Sequence, residues 1–168
     1  IEAVTTDDLS GDEVIDATDL VVAPGFIDTH FHAVDPFGTK LALRDGTTTG
    51  MDLELGAFHV GDWYEKKAED GWQVNYGTTA SLNFARLAVH DPEVDINEPI
   101  DFSNGPSYLN ESAEDGIQGW SVTRSDVEQM NQVMEVLDED LRQGALGVGV
   151  AAAYMARGMT SYEQFEAQ

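Results

Sequence analysis

The alternation of strand-like and helix-like segments most constrains the fold of this chain. Apolar or β-branched strand patterns occupy residues 25–30, 47–55, 72–79 and 145–150, and helical patterns occupy 62–68 and 125–143. Strands that alternate with helices form βαβ units, which give a parallel sheet covered on both faces. A complete eight-stranded barrel needs about 250 residues. We therefore predict an α/β fold, a partial TIM-type (β/α)8 barrel holding about its first four units.

The two helical patterns carry recognisable end signals. Ser125 is a candidate N-cap, and Glu128 completes a capping box with it. Apolar residues then recur at helical spacing until Gly144, which is predicted to end this helix. The shorter helix is predicted to begin after Asp62 and to stop at Gly71.

The chain divides into two predicted parts. Residues 1–24 contain three short strand patterns, at 1–5, 14–16 and 20–23, and are predicted to be the remnant of a small β-sandwich domain. Residues 25–168 are predicted to form the first part of the barrel, with a loop insertion near 91–119 that is rich in Pro, Gly, Asp, Asn and Ser. Both chain ends fall within predicted elements, so we expect a piece of a longer protein.

Composition excludes several classes of function. Asp and Glu total 32 against 8 Lys and Arg, for a net charge of −24. Such a surface repels nucleic acid and anionic membranes, and it also fits adaptation to high salt. No apolar run is long enough to span a bilayer. We expect neither nucleic-acid nor membrane partners, and a cytoplasmic location is favoured. The chain has no cysteine, so a metal would need His and carboxylate ligands.

The sharpest local feature is the pair His30 and His32. In a strand, side chains at positions i and i+2 point to the same side. The apolar run precedes His30 and Pro36 follows soon after, which places the pair at the carboxyl end of a parallel strand, where barrel active sites lie. Two imidazoles in that place can bind one divalent cation. Two partly exposed loop histidines are the alternative interpretation.

Asp52 and Glu54 repeat the i, i+2 pattern on the next predicted strand. Two carboxylates on one face of a buried strand are costly unless they are paired or bound to a cation. The alternative is that they face water while the apolar residues between them face the core. A parallel strand is normally covered on both faces, which favours the metal site. Asp28 or Asp52 could orient a metal-binding side chain through a hydrogen bond, without binding the metal itself.

The segment 13–32 resembles the entry to the amidohydrolase superfamily. There the chain leaves a small β-sandwich domain, passes a Pro-Gly-Phe-Ile-Asp turn and enters the first barrel strand with His-x-His; residues 24–32 match this pattern. Residues 45–49 (Asp-Gly-Thr-Thr-Thr) resemble the second strand of the N-acyl-D-amino-acid deacylase (D-aminoacylase) branch. Residues 144–147, with Tyr154 beyond them, resemble the fourth-strand segment of that branch.

The resemblance implies a set of metal ligands. It implies that His30 and His32 bind Zn²⁺ or another divalent metal, as one or two ions. A second-strand ligand, which is a cysteine or a glutamate in the family, would lie near Glu54. Gapless alignment puts Leu55 on the cysteine position and Glu54 one residue before it. The remaining histidines and the catalytic aspartate of the family would lie beyond Gln168.

The resemblance also implies substrate contacts, with departures. Tyr154 and Arg86 would lie near the substrate. Leu82 stands where the deacylases carry a histidine, and Gly149 stands where they carry a serine. These departures put an acyl-amino-acid substrate in doubt and leave the histidine pair untouched.

The resulting hypothesis is a metal-dependent hydrolase of non-peptide amide C–N bonds, with N-acyl amino acids as one substrate class. The partner would be a small-molecule amide, and a homo-oligomer is left open. The isolated chain is expected to be inactive, because it holds two or three of about four ligands. One alternative is a non-catalytic or degenerate barrel segment that acts in binding or assembly. Another is a cyclic-amide hydrolase of the dihydroorotase or hydantoinase type. Those enzymes usually carry a strand-four lysine, which residues 145–150 lack.

Overall fold

The computed structural model describes residues 2–33, 35–111, 113–114, 117–155, 158 and 161–167. In chain order the strands are β1 (Phe26–Asp28), β2 (Thr47–Ala57), β3 (Asn75–Ser81), β4 (Ala113–Glu114), β5 (Ile117–Gln118) and β6 (Val148–Gly149). The α-helices are α1 (Pro36–Arg44), α2 (Val60–Asp70), α3 (Leu82–His90), α4 (Gly105–Glu111), α5 (Gly119–Val122), α6 (Val127–Arg142) and α7 (Ser161–Ala167). A 3₁₀ helix covers Ala152–Met155.

Four of the strands form one parallel sheet in the order β1-β2-β3-β6. Neighbouring strands in this sheet are connected through helices, which confirms the predicted α/β fold. The sheet does not close on itself, as expected for part of a barrel. Because all four strands run in the same direction, their carboxyl ends lie along one edge of the sheet.

The four predicted barrel strands are all present, but their lengths differ from the prediction. The fourth pattern, 145–150, yields only Val148–Gly149, since glycine-rich sequence provides few side chains to pack. Sequence patterns also missed α3. Its residues 82–87 are all buried, and its polar residues Asn83, Arg86 and His90 contact distant parts of the chain instead of solvent.

The starts of the two predicted helices shift for physical reasons. In α6 the capping box is formed by Asp126 and Gln129, one residue later than predicted. Helix α2 begins at Val60 and not after Asp62, and its preceding residue provides no side-chain cap. The Val60 N–H instead donates to Asp140 Oδ1 of α6 over 2.9 Å. Because this partner is distant in sequence, no local pattern could reveal it.

The strands predicted in the N-terminal segment are absent. Residues 2–25 form no helix or strand, and apolar side chains such as Val4 and Val21 are exposed at 91% and 94%. A strand needs a hydrogen-bonding neighbour, and the rest of the described chain pairs with itself instead. The assignment of residues 1–24 to a β-sandwich remnant stays a prediction.

The insertion near 91–119 is more ordered than predicted. It contains α4, the antiparallel pair β4 and β5, and the first residue of α5. Its residues 112, 115 and 116 lie outside the described residues. Ile100 pairs with Phe58 at the end of β2, which anchors the insertion beside the carboxyl edge of the sheet.

The main hydrophobic core lies between the sheet and the helices α3, α5 and α6. It is built from fully buried residues such as Leu82, Phe84, Leu87 and Val133. Ile100 of the insertion belongs to the same core, so the insertion is packed as part of the domain. Within the described part of the chain, no helix combines the length and apolar character needed to cross a bilayer.

Candidate metal centre

The histidine pair lies just past the end of β1, at the carboxyl edge of the sheet. His30 forms an isolated bridge with Asp52 of β2, and its backbone N–H donates to Asp28 Oδ1 over 3.0 Å. The rings of His30 and His32 lie 4.7 Å apart, nearly perpendicular to each other. His30 is exposed and His32 is mostly covered, with side-chain exposures of 64% and 19%. The pair therefore offers one ring to solvent and one to a sheltered pocket.

A bulge in β2 presents the carboxylate that faces this pair. The pairing with β3 shifts register between Asp52 and Ala57. Within the shift, the backbone N–H groups of Glu54, Leu55 and Gly56 all donate to Asp52 Oδ1, over 3.2, 3.0 and 3.1 Å. The turn requires φ +80° at Gly56, where a Cβ would approach Thr79 O to 2.5 Å. Glycine inside a strand pattern is the sequence signal for such a bulge.

Asp52 also holds His32 in one orientation. Its second oxygen, Oδ2, lies 3.0 Å from His32 Nδ1. Since an ionised carboxylate only accepts hydrogen bonds, this contact assigns a proton to Nδ1, and in the neutral imidazole the lone pair is then on Nε2. That Nε2 lies 3.6 Å from Glu54 Oε2. A carboxylate behind a histidine is the arrangement that orients metal-binding imidazoles in proteins.

His30, His32 and Glu54 together form what we name the metal cluster. One ligand atom from each residue lies within 4.8 Å of the others, and His30 Nε2 is 3.8 Å from Glu54 Oε2. Two imidazoles and one carboxylate are a donor set that zinc accepts in catalytic sites. The residues thus fit a divalent ion by donor chemistry and spacing. Metal binding itself stays a prediction.

The insertion covers one face of the cluster with Phe102. The Phe102 ring stacks on the His32 ring, with centroids 4.2 Å apart and planes 18° from parallel. The neighbouring Asp101 is tied to α2, because Lys67 Nζ and Trp63 Nε1 both contact its Oδ2, over 2.8 and 2.9 Å. Burial alone would raise the pKa of Asp101, but the Lys67 charge and these hydrogen bonds outweigh it and lower the pKa.

A cavity of about 620 Å³ opens beside the metal cluster. The three cluster residues line it together with residues of β2, α3, α5 and the insertion, notably Leu55, Asn83, Phe102, Leu109 and Trp120. Tyr154 lines it as well and is 69% exposed, so the structure places this predicted substrate contact at the cavity. Whether Tyr154 touches a substrate stays a prediction.

The position of Trp120 in the cavity wall is set by its backbone. Asp91 accepts from the N–H groups of Gly119 and Trp120 over 2.8 and 2.7 Å, and burial raises the pKa of Asp91 despite these bonds. On the other side, Arg86 Nε donates to Trp120 O over 2.7 Å. Two buried polar groups thus hold one wall of the cavity.

Arg86, the other predicted substrate contact, lies elsewhere. It is fully buried, it is not among the residues that line the cavity, and it forms an ion pair with Glu163. Its remaining donors reach Ser125 Oγ and the carbonyl of Thr123. These contacts account for Arg86 without a substrate.

The two departures from the deacylase pattern have a structural context. Leu82 is fully buried in the core, where a histidine would need polar partners. At Gly149 a Cβ would lie 2.3 Å from Thr79 Oγ1 and 2.9 Å from Glu54 O, so no side chain fits there. Gly149 instead lets β6 approach the bulge that carries Glu54.

Sequence reasoning missed several residues around the cluster. Asp52 was one of two candidates for an orienting group, and the structure favours it over Asp28, which contacts only a backbone N–H. Phe102, Trp120 and Asn83 carried no signal, because they reach the cavity through the fold of the insertion and α3. A lone aromatic or amide in such segments looks like any surface residue.

Comparisons with known proteins find partial relatives. The chain is 43% identical over 60 residues to a protein named allantoinase from Enterococcus faecalis. It is 41% identical over 58 residues to a dihydroorotase from Lactobacillus johnsonii and 45% identical over 58 residues to a dihydroorotase from Lactobacillus helveticus. Allantoinase and dihydroorotase are members of the amidohydrolase superfamily. These matches do not support the D-aminoacylase branch in particular.

These matches cover little of either partner. Each spans 29% of this chain and 13% of the relative's length. No protein-family model matches the chain, and no solved structure matches it significantly. The similarity therefore supports amidohydrolase character in general and leaves the activity open to proposal.

Proposed function

We propose that the full-length protein containing this chain is a metal-dependent hydrolase of non-peptide amide C–N bonds. The observation that carries this proposal is the metal cluster: His30, His32 and Glu54 converge at the carboxyl edge of a parallel sheet, beside a cavity large enough for a small molecule. The partial similarity to allantoinase and dihydroorotase supports the same type of chemistry.

The residues of the chain have distinct parts in this proposal. His30 and His32 would hold the ion through Nε2, and Glu54 would bring the charge that balances it. Asp52 fixes the proton on His32 Nδ1 and the ring plane. Phe102 keeps water from one face of the His32 ring. When bound, a divalent ion supplies Lewis acidity that polarises the scissile carbonyl and activates water at neutral pH.

Zinc is the ion we favour. Imidazole nitrogen and carboxylate oxygen without thiolate suit Zn²⁺, although other first-row divalent metals accept the same donors. The described cluster provides three ligands, which leaves at least one position for water or substrate in a tetrahedral site. The proposal covers one or two bound ions.

Two substrate classes compete within the proposal. The names of the relatives favour a cyclic amide. The lack of a lysine in residues 145–150 and the likeness of residues 45–49 and 144–147 to the deacylase branch favour an acyclic N-acyl compound. Assays of the full-length protein with hydantoin and with N-acetyl-D-amino acids separate these classes, because each probe contains only one type of amide.

The decisive experiment replaces one ligand. We expect His32→Ala in the full-length protein to remove most bound zinc, measured by elemental analysis, and to lower amide hydrolysis by at least about a thousandfold, in the range that metal activation contributes. The matched control is His59→Ala. His59 is 48% exposed, is not among the cavity residues, and its ring lies 4.0 Å from the Asp62 carboxylate.

The outcomes separate the two main hypotheses. Loss of zinc and activity in His32→Ala but not in His59→Ala supports the metal-dependent hydrolase. Unchanged zinc content in His32→Ala would refute the site. Zinc bound by the wild-type protein without turnover of either amide class would favour the alternative, a barrel segment that acts only in binding or assembly.

A further inference from the structure

The cavity contains a buried hydrogen-bond donor that nothing in the described chain satisfies. Asn83, in the first turn of α3, lines the cavity and is only 1% exposed. Its Oδ1 accepts from Ala151 N over 3.1 Å, and because a backbone N–H can only donate, this contact fixes which end of the amide is oxygen. The Nδ2 group then has no hydrogen-bond partner among the described residues.

A donor in this state requires an explanation. Leaving a buried amide N–H group unpaired costs free energy, and native proteins contain few such groups. A ligand acceptor in the cavity that Asn83 lines would pair this donor while Ala151 N keeps the side-chain oxygen in place. Asn83 is thus a rigid donor beside the metal cluster.

The remaining lining identifies what kind of molecule carries that acceptor. Phe102, Leu109 and Trp120 give the cavity an apolar wall, and Asn110 and Gln118 add neutral amides. Outside the metal cluster, the described lining residues carry no charged side chain. An apolar wall with a few fixed polar groups is typical of sites for uncharged small molecules.

Two basic side chains near the site are already committed. Arg86 is paired with Glu163, and Lys67 is paired with Asp101. A carboxylate that loses hydration on entering this cavity needs a cationic partner to offset that loss. The net charge of −24 adds long-range repulsion for an anion.

We infer that the cavity binds an uncharged amide with an apolar side group, and that Asn83 Nδ2 donates a hydrogen bond to a carbonyl oxygen of that ligand. This inference rests on the proposed function, since it assigns a substrate class to the same site. It disfavours free N-acyl amino acids, whose carboxylate would have no partner in the described lining. Asn83 is a binding residue here, separate from the metal ligands.

The first test uses metal-free full-length protein, so that probes bind without being hydrolysed. Three probes share one apolar group and differ in charge: N-acetylphenylalaninamide is neutral, N-acetylphenylalanine is anionic and phenylalaninamide is cationic. Both enantiomers of each are titrated by calorimetry. We expect the neutral probe to bind at least about tenfold more tightly than either charged probe. Equal or tighter binding of a charged probe would overturn the inference.

The second test isolates the donor. Asn83→Asp keeps an oxygen for Ala151 N and removes the NH₂ group, whereas Asn83→Ala removes both roles. We expect each variant to bind the neutral probe about tenfold more weakly. The matched control is Asn131→Ala, which removes an exposed amide of α6 outside the cavity and should change affinity less than about threefold.

The outcomes keep this inference apart from the proposed function. Unchanged affinity in a folded Asn83→Asp protein would refute the role of Asn83. If Asn83 variants fail to fold, the charge series on the wild-type protein still decides the substrate class. Neutral-probe preference in a protein that binds no zinc would refute the proposed function alone, whereas zinc-dependent turnover with anionic preference would refute this inference alone.

Discussion

Two groups of titratable residues in this chain have opposite environments in the fold. The metal cluster joins His30, His32 and Glu54, which are partly exposed and face a cavity. The pair Arg86 and Glu163 is wholly buried. In the cluster, the candidate ligand atoms lie within 4.8 Å of one another beside the cavity. In the buried pair, the guanidinium reaches Glu163, one hydroxyl and two carbonyls.

This difference distinguishes a ligand-binding site from a pair of residues that stabilises the fold. Like charges or lone pairs that converge without partners cost free energy, and only a ligand can recover it. A satisfied buried network needs no ligand and holds its surroundings in place, here the backbone of Trp120 in the cavity wall. The comparison therefore predicts that mutations in the two groups affect different properties: folding in one and binding in the other.

The largest effect is expected from Arg86→Met. This change leaves Glu163 buried without its cation and removes the donors to Trp120 O and Thr123 O. Breaking a buried ion pair on one side costs about 3–5 kcal/mol in the free energy of unfolding. Urea denaturation of the metal-free protein, with paired fluorescence and circular dichroism, measures the loss.

Two controls sharpen this prediction. Arg142→Met removes an arginine that is 67% exposed and pairs with Asp138 on the surface, so it should cost less than about 1 kcal/mol. The double change Arg86→Met with Glu163→Leu removes both buried charges and should be less destabilising than Arg86→Met alone. Equal losses in Arg86→Met and Arg142→Met would show that the buried pair contributes no more than a surface pair.

The fold was largely predictable, because the strands of the sheet have apolar patterns that are visible in short stretches of sequence. Apolar runs at residues 25–30, 47–55 and 72–79 gave strands in the right places and the right parallel arrangement. The failures are tertiary. The start of α2 depends on Asp140, eighty positions further on, and the polar residues of α3 are bound by distant partners. Patterns read in a short window cannot contain either fact.

An intermediate effect is expected at Asp101, which lies between the two regions. It pairs with the buried Lys67 and precedes Phe102, the residue stacked on the metal cluster. Asp101→Asn removes the charge from this contact and should cost about 1.5–3 kcal/mol of unfolding free energy at pH 7, the range for hydrogen bonds to charged groups. Urea denaturation at several pH values measures it.

The pH dependence provides the internal control. Since the Lys67 charge and hydrogen bonds overcome burial, the pKa of Asp101 is lower in the folded protein than in the unfolded chain. Its stabilising contribution is present above the unfolded value of about 4 and is lost as the pH falls through the folded value. The wild-type and Asp101→Asn proteins should therefore converge in stability at low pH. A constant difference down to pH 2.5 would contradict the ion-pair assignment.

The site was predictable only where residues of metal-binding type lie close together in the sequence. His30 and His32 lie just past the end of β1, where the bridge of His30 to Asp52 keeps the pair beside β2 and the two rings 4.7 Å apart. Glu54 reaches them for another reason, the bulge closed on Asp52. Arg86 shows the converse, since a residue type suited to substrates became part of the core. The residue type alone does not indicate whether the hydrogen-bonding groups of a side chain are already paired within the protein.

We expect the smallest change in stability from Asp52→Asn, together with a clear change in zinc binding. The asparagine oxygen can still accept from the three backbone N–H groups of the bulge. Its NH₂ group would then face His32 Nδ1 and donate to it, which moves the imidazole proton to Nε2. A protonated Nε2 cannot bind a metal. We expect zinc affinity to fall about 10–100-fold, the range for partners behind metal ligands, while the unfolding free energy changes by less than about 1 kcal/mol.

The matched control for this change is Asp28→Asn. Asp28 Oδ1 accepts only from the backbone N–H of His30, and an asparagine oxygen can replace it, so zinc affinity should change by less than about threefold. Competition with a zinc-binding dye measures both variants. Similar zinc affinities for Asp52→Asn and wild type would mean that His32 does not bind zinc through Nε2. The metal cluster would then be a structural network, like the pair Arg86 and Glu163, and not a binding site.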